Sequence, residues 1–238
     1  MLPNVSPFDG ALLVDKPSGP TSHDVVDCVR RHLGIKKVGH CGTLDPAATG
    51  LLIIVLGRGT KLSELLMASD KVYGGVMKFG EETSTYDAEG ELVSSLPVPP
   101  MTLEALNELA GGFVGDTMQT PPMVSAVKVK GVPLYKLARK GLEVEREARL
   151  IHVYSFRFTS YVEPRGEFRL ACTKGTYVRS IAHDLGTKIG CGAHLATLRR
   201  LDSGRFSVSE ATPLADLLAM NVKQVEERVV PFSKLAQA

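Results

Sequence analysis

Val38-Gly39-His40-Cys41-Gly42-Thr43-Leu44-Asp45-Pro46-Ala47-Ala48-Thr49-Gly50-Leu51-Leu52 is the stretch on which the reading of this chain turns. Gly39, Gly42 and Gly50 supply permissive backbone, and Pro46 fixes its own φ and pushes Asp45 away from helical geometry. The apolar run at 51–56, Leu-Leu-Ile-Ile-Val-Leu, follows at once and has the length of a buried strand. The stretch therefore reads as a polar loop, carrying His40 and Asp45, fastened to a hydrophobic strand. Reactive groups are commonly held rigidly in that way. An Asp before proline also has a plainer use, accepting backbone N–H groups to close a turn, and an isolated Asp-Pro would favour it.

Composition narrows the field. The chain has 238 residues, 44% hydrophobic and 23% charged, ordinary for a globular protein with one substantial core. No apolar stretch reaches the length of a membrane span, and the N-terminus lacks a signal-peptide pattern. Cys28, Cys41, Cys172 and Cys191 form no Cys-x-x-Cys pair, so neither a zinc ribbon nor a disulfide framework is indicated. His23, His32, His152, His183 and His194 share no metal-ligand spacing. Reduced thiols and a cytoplasmic location are the expectation.

The net charge is only +2, but it is unevenly spread. Residues 50–119 carry four Lys/Arg against ten Asp/Glu, residues 120–164 eight against four, and residues 165–205 eight against three. The basic half suits phosphate binding. An unevenly charged solvated surface would look the same.

Along the chain, residues 10–15 read as a strand, and Thr21 or Ser22 caps a helix that presents Val25, Val26, Val29 and Leu33 and ends at Gly34. Residues 51–56 and 72–79 read as strands, 61–67 as a short helix, and 80–90 as turns. A helix is expected over 102–110, strands over 124–129, 153–159 and 167–173, a turn at Lys130-Gly131, and a helix over 176–189. Strands and helices mix without strict βαβ alternation, which favours an α+β fold.

The other motifs extend the pattern. Lys16-Pro17-Ser18-Gly19-Pro20-Thr21-Ser22, Gly42-Thr43-Leu44-Asp45-Pro46, Lys71-Val72-Tyr73, Gln119-Thr120-Pro121-Pro122, Ser125-Ala126-Val127-Lys128, Leu134-Tyr135-Lys136-Leu137-Ala138-Arg139, Lys174-Gly175-Thr176-Tyr177-Val178-Arg179, Gly190-Cys191-Gly192-Ala193-His194 and Leu198-Arg199-Arg200 occur in order. Together they resemble the TruB family of pseudouridine synthases, which turn a uridine in the T arm of tRNA into pseudouridine. The resemblance implies a mixed, largely antiparallel sheet flanked by helices, with a basic thumb insert at about 120–149 that closes over RNA. It implies one catalytic domain over residues 1–238. No separate C-terminal RNA-binding domain is recognised, and residues 213–235 read as the close of the catalytic domain. The family usually shows an Asp between two threonines where Thr83-Ser84-Thr85 stands here, while Asp87 is retained.

By the same resemblance Asp45 is the catalytic carboxylate, Arg179 the cation paired with it, and Tyr73 the ring that stacks on the target base and helps remove its C5 proton. His40, Tyr177 and Leu198 are expected to contact RNA; Lys16 lies in a matching motif, and a solvated or structural lysine is an equal reading of it. Each has a bland alternative: Arg179 a surface cation on a helix, Tyr73 and Tyr177 half-buried packing, Leu198 core, His40 a loop histidine bonded to a carbonyl. The chemistry breaks the C1′–N1 bond, turns the uracil and joins C1′ to C5. A glycosidase uses two carboxylates, but uracil spreads negative charge over its own carbonyls, so one carboxylate suffices, as nucleophile or as base at the sugar. A nearby cation keeps it ionised.

The expected function is isomerisation of uridine 55 of tRNA by a monomer that needs no cofactor, no metal and no obligate protein partner, with the tRNA T stem-loop as partner and no role for DNA or membrane. The alternatives are a subunit of a guide-RNA-dependent pseudouridine synthase and a non-catalytic tRNA-binding or tRNA-folding protein.

Overall fold

A capping box sets where the first helix begins. The Thr21 hydroxyl accepts from the Asp24 N–H while the Asp24 carboxylate accepts from the Thr21 N–H. In this computed structural model, which describes residues 6–236 apart from 126, 130, 139 and 143, the chain forms two units. One comprises Met1–Tyr73 with Arg199–Ala238, the other Gly74–Leu198.

The first unit opens with β1 (Gly10–Lys16) and α1 (Ser22–Leu33), the helix closed by Gly34 at φ 65°. β2 (Val38–Cys41) and β1 both run antiparallel to β3 (Thr49–Leu56), with Cys41 opposite Ile53 and Lys16 opposite Gly50. Residues 51–56 are all at most 1% exposed, so β3 is covered on both faces, as its unbroken apolar run requires. Each of these aliphatic side chains contributes about 1.5–3 kcal/mol relative to exposure. A turn of 3₁₀ helix and α2 (Ser63–Ala68) occupy the place of the expected helix at 61–67 and lead to β4 (Lys71–Phe79), within which the chain passes to the second unit.

The second unit continues with a hairpin of β5 (Glu81–Thr83) and β6 (Leu92–Ser95), then α3 (Leu103–Gly111), capped by Thr102. β7 (Gly115–Gln119), the small hairpin of β8 (Lys128–Val129) and β9 (Val132–Pro133), and α4 (Leu134–Ala138) precede β10 (Arg149–Val162) and β11 (Arg165–Cys172). α5 (Val178–Ile189) and β12 (Ala193–Ser203) follow. The sheet of this unit has the order β4-β11-β10-β7, and β10 is antiparallel to both its neighbours. Asn107 fastens α3 to it, donating to Phe158 O at 3.1 Å and accepting from Phe158 N at 2.8 Å. Phe156, Phe158 and Phe168 form its aromatic core.

The chain re-enters the first unit within β12, then adds β13 (Phe206–Ser207), β14 (Thr212–Pro213), α6 (Leu214–Ala219), α7 (Val222–Glu226), β15 (Val230–Pro231) and α8 (Phe232–Leu235). β14 lies parallel to β1 and β15 antiparallel to it. The fold is α+β, its sheets mixed and largely antiparallel.

Three expectations change. His40 sits in β2 opposite Ile54, because the ladder on β3 outweighs the glycine-rich composition. Strands β7 and β12 form where the sequence showed no strand signal. The strand expected over 124–129 shrinks to Lys128–Val129 because its acceptors are used elsewhere: Val124 O by Arg179, Ser125 O by Tyr135 N and Val127 O by Leu134 N. The turn after β8 contains Gly131 at φ 81°; Lys130, like Ala126 and Arg139 of the insert motifs, lies outside the described residues.

Candidate active site

Asp45 is half-buried in the loop between β2 and β3, and both its chain neighbours are pinned. Ser22 at the start of α1 brackets Leu44: Leu44 N donates to Ser22 Oγ at 2.8 Å, and Ser22 Oγ donates to Leu44 O at 3.1 Å. Lys16, with no exposed surface, donates to Pro17 O at 2.8 Å, Pro20 O at 2.7 Å and Pro46 O at 3.0 Å. Gly19 N also reaches Pro46 O at 2.9 Å, and Ala48 N closes a turn onto Asp45 O at 3.1 Å. The Lys16–Ser22 motif is thus the cradle of the Asp45 loop, and Lys16 is structural rather than solvated.

A second motif closes the loop at its base. Arg200, 1% exposed, donates from Nε to Leu51 O at 2.7 Å and from Nη2 to Gly42 O at 3.0 Å. One side chain thereby ties Gly42, where the loop leaves β2, to Leu51, two residues into β3. Gly50 pairs with Arg200 in parallel register, and its φ of 99° is left-handed; a Cβ there would stand 2.3 Å from Arg200 O. Arg199 forms a two-pronged ion pair with Asp15, Nη1–Oδ1 2.9 Å and Nη2–Oδ2 2.6 Å. Gly42, Pro46 and Gly50 of the opening stretch therefore serve a loop whose shape is over-determined by backbone contacts.

Electrostatics near the loop are set by burial and by Arg200. Burial first, and the Arg200 charge second, lower the His40 pKa below its ordinary value, so this ring is neutral near pH 7. Burial pushes the Cys41 thiol up to about 11. The four cysteines are free; Cys28 is half-buried and the other three are buried. Iodoacetamide at about pH 8 is expected to modify Cys28 at least ~10-fold faster than Cys41, because the thiolate is the nucleophile. Peptide mass spectrometry checks this, and equal labelling in the folded protein would contradict the packing around Cys41.

In the second unit Arg179 is the second residue of α5 and only 3% exposed. Its Nη1 donates to Thr85 O at 3.2 Å and stands 3.5 Å from Asp87 Oδ2, and its Nη2 donates to Val124 O at 2.7 Å. A cation at a helix N-terminus is disfavoured by the helix dipole, and these acceptors offset that cost. Tyr86, at φ 63°, makes the left-handed turn between Thr85 and Asp87, and its ring stacks on His183 at 4.0 Å. Asp87 is itself held by Thr85 Oγ1, and its O accepts from Thr83 Oγ1. Tyr177 is the half-buried N-cap residue of α5, and Leu198 is half-buried on β12.

The predicted residues thus fall into two groups. His40, Asp45 and Tyr73 belong to the first unit, and Tyr177, Arg179 and Leu198 to the second. The structure brings Tyr177 and Arg179 together at the start of α5. The sequence marks Ser22 as a possible helix cap, Arg200 as part of a motif and Asp87 as a retained residue; the structure gives the cap to Thr21 and shows Ser22 and Arg200 holding Asp45's loop and Asp87 holding Arg179. Among the described residues no group of three or more His, Cys, Asp or Glu could hold a metal ion, and no helix is long and apolar enough to cross a membrane.

Comparison with known proteins follows the same lines. Residues 30–178 match the TruB family pseudouridylate synthase N-terminal domain, and residues 179–235 the tRNA pseudouridylate synthase B C-terminal domain. The chain is 53% identical to the tRNA pseudouridine synthase B of Opitutus terrae, over 96% of this chain and 95% of that one. It is 46% identical to the protein of the same name from Solibacter usitatus, over 97% of this chain and 79% of that one. Among solved structures it is similar to a chain of an archaeal box H/ACA sRNP Nop10–Cbf5 complex, with 26% identity, a TM-score of 0.72 and coverage of 97% of this chain and 62% of that one. A Cbf5–Nop10–Gar1 complex contains a similar chain, at 26% identity and a TM-score of 0.75, matched over 98% of this chain and 66% of that one. The chain thus spans just under two thirds of these structural relatives. With one family domain matched over residues 30–178 and more than half of its residues identical to a relative of nearly the same length, this chain belongs to the TruB family of pseudouridylate synthases.

Proposed function

We propose that this protein isomerises uridine 55 in the T arm of tRNA to pseudouridine, with Asp45 as the catalytic carboxylate acting on a base drawn out of its stack. Membership of the family makes the chain a tRNA pseudouridine synthase, an isomerase of RNA modification. The observation that carries the finer reading is the Asp45 loop itself. Its backbone is fixed at Gly42, Leu44, Pro46 and Leu51 by two separate motifs, leaving a half-buried carboxylate on a rigid mount. Rigid placement of a catalytic group lowers the barrier by settling the entropy of alignment before the reaction begins.

Arg179 is the cation that keeps Asp45 ionised. Its support is a guanidinium held by two carbonyls and Asp87, which fixes its direction. Tyr73 stacks on the uracil, and His40, Tyr177 and Leu198 contact the RNA. A neutral, half-buried His40 suits space-filling against a displaced base better than proton transfer. Residues 120–149 bind the T stem-loop as a thumb, and residues 1–238 act as one catalytic domain. The enzyme works in the cytoplasm as a monomer, without cofactor or metal.

The test is tritium release from a T-arm stem-loop carrying C5-tritiated uridine, since joining C1′ to C5 expels the C5 hydrogen. The purified protein alone is expected to release the label from uridine 55 and from no other uridine. Activity only in the presence of a guide RNA and partner proteins would favour the guide-dependent reading. Binding without release would favour the non-catalytic one.

A further inference from the structure

The N-cap residue of α5 makes no side-chain cap, and a side chain from elsewhere holds that residue by its backbone. Tyr177, the N-cap residue, has extended backbone (φ −99°, ψ 106°) and makes no side-chain capping bond. Gln119, 5% exposed, fills the gap: its Oε1 accepts from Tyr177 N at 2.7 Å and its Nε2 donates to Tyr177 O at 3.1 Å. Only one orientation of the amide satisfies both bonds, because a backbone N–H must meet the oxygen. The amide grips the residue two positions before Arg179, on a helix end whose N–H groups otherwise want partners.

Gln119 also has a particular place in the chain. It is the last residue of β7 and pairs with Arg149, the first residue of β10, so the two stand at the root of the insert between them. Further along, Thr120 O accepts from Ser180 Oγ at 3.5 Å and Val124 O accepts from Arg179 Nη2 at 2.7 Å. Tyr177, Arg179 and Ser180 are therefore all tied to residues 119–124. The entry segment of the basic insert is bonded to the helix turn that carries the cation.

From this geometry we infer that Gln119 is a positioning residue for Arg179 and couples the grip of the insert on RNA to the catalytic step. The inference rests on the proposed roles of Arg179 and of residues 120–149. It states that loosening Gln119 slows the reaction of bound tRNA rather than weakening binding.

The experiment compares wild type with Gln119→Glu and Gln119→Ala. Gln119→Glu keeps the size and the acceptor oxygen but replaces the donor to Tyr177 O by a second acceptor. Single-turnover pseudouridine formation at saturating T-arm RNA is expected to fall at least ~10-fold, in the range that small misplacement of reacting groups produces, with Kd for the RNA within about twofold. If Gln119→Ala does not fold, Gln119→Glu decides. Unchanged rates at saturation, or a loss confined to Kd, would overturn the inference. Hydrogen exchange gives a readout independent of activity: amides 177–181 are expected to exchange faster in Gln119→Glu, and bound RNA to slow them in wild type but not in the variant. Identical exchange in both proteins overturns the coupling even if the wild type is fully active. An inactive wild type with the expected exchange pattern would instead count against the proposed function and leave the positioning by Gln119 standing.

Discussion

Asp45→Asn is expected to reduce pseudouridine formation by at least ~10³-fold, a loss of about 4 kcal/mol of transition-state stabilisation, while Kd for tRNA stays within about threefold. Asn has nearly the shape of Asp but neither its charge nor its nucleophilicity. The loop keeps its mounting in the variant, since the bonds from Ser22, Lys16 and Arg200 all end on backbone atoms of Gly42, Leu44, Pro46 and Leu51. Removing the charge therefore tests chemistry rather than folding, and thermal unfolding of the variant should shift by less than about 4 °C, equivalent to roughly 1 kcal/mol. Tritium release would follow the reaction, and filter binding the affinity. Release within tenfold of wild type would remove Asp45 from the mechanism and return it to the plainer role of closing a turn.

The contrast between the legible and illegible parts of this chain follows sequence distance. Thr21 and Gly34 announce the ends of α1 because capping is local chemistry. Residues 51–56 announce a buried strand because six consecutive aliphatic residues have nowhere else to go. β12 gives no such signal: charged Arg199 and Arg200 interrupt it, and their reason for being there is a partner far away in sequence, Asp15 for one and the carbonyls of Gly42 and Leu51 for the other. β7, Gly-Asp-Thr-Met-Gln, is extended because β10 pairs with it rather than through its own propensity.

The candidate site divides in the same way. Asp45, Tyr73 and Arg179 stand in motifs long enough to be read by resemblance. Their supports are legible only in three dimensions, because Ser22 reads as a possible helix cap until its hydroxyl is seen bracketing Leu44. Gln119 is likewise part of an insert motif until its amide is seen on Tyr177. Tyr86 carries a left-handed backbone that no glycine or asparagine signals, and the turn it makes brings Thr85 O and Asp87 to Arg179.

Arg200→Met should destabilise the protein by about 2–4 kcal/mol, since it leaves the carbonyls of Leu51 and Gly42 buried without a donor. For a chain of this size that corresponds to a fall in Tm of roughly 5–15 °C. Methionine fills much of the volume and relieves the cost of burying a charge, which keeps the loss below that of a full cavity. Arg200→Lys should fall in between, because one ammonium cannot serve both carbonyls with the planar reach of a guanidinium. Activity at a temperature where the variant is folded should drop further than stability alone explains, because the ends of the Asp45 loop are no longer joined. His40 provides a local check: the Arg200 charge contributes to its lowered pKa, so removing that charge should move the His40 titration upward, toward its ordinary value, in an NMR pH series. The sign has a consequence for stability. A histidine held neutral by the fold opposes folding only below its unfolded pKa, about 6.5, so Arg200→Met should lose less stability on acidification through that range than wild type does. An unchanged Tm together with an unmoved His40 titration would show that neither the hydrogen bonds nor the charge of Arg200 reaches the loop.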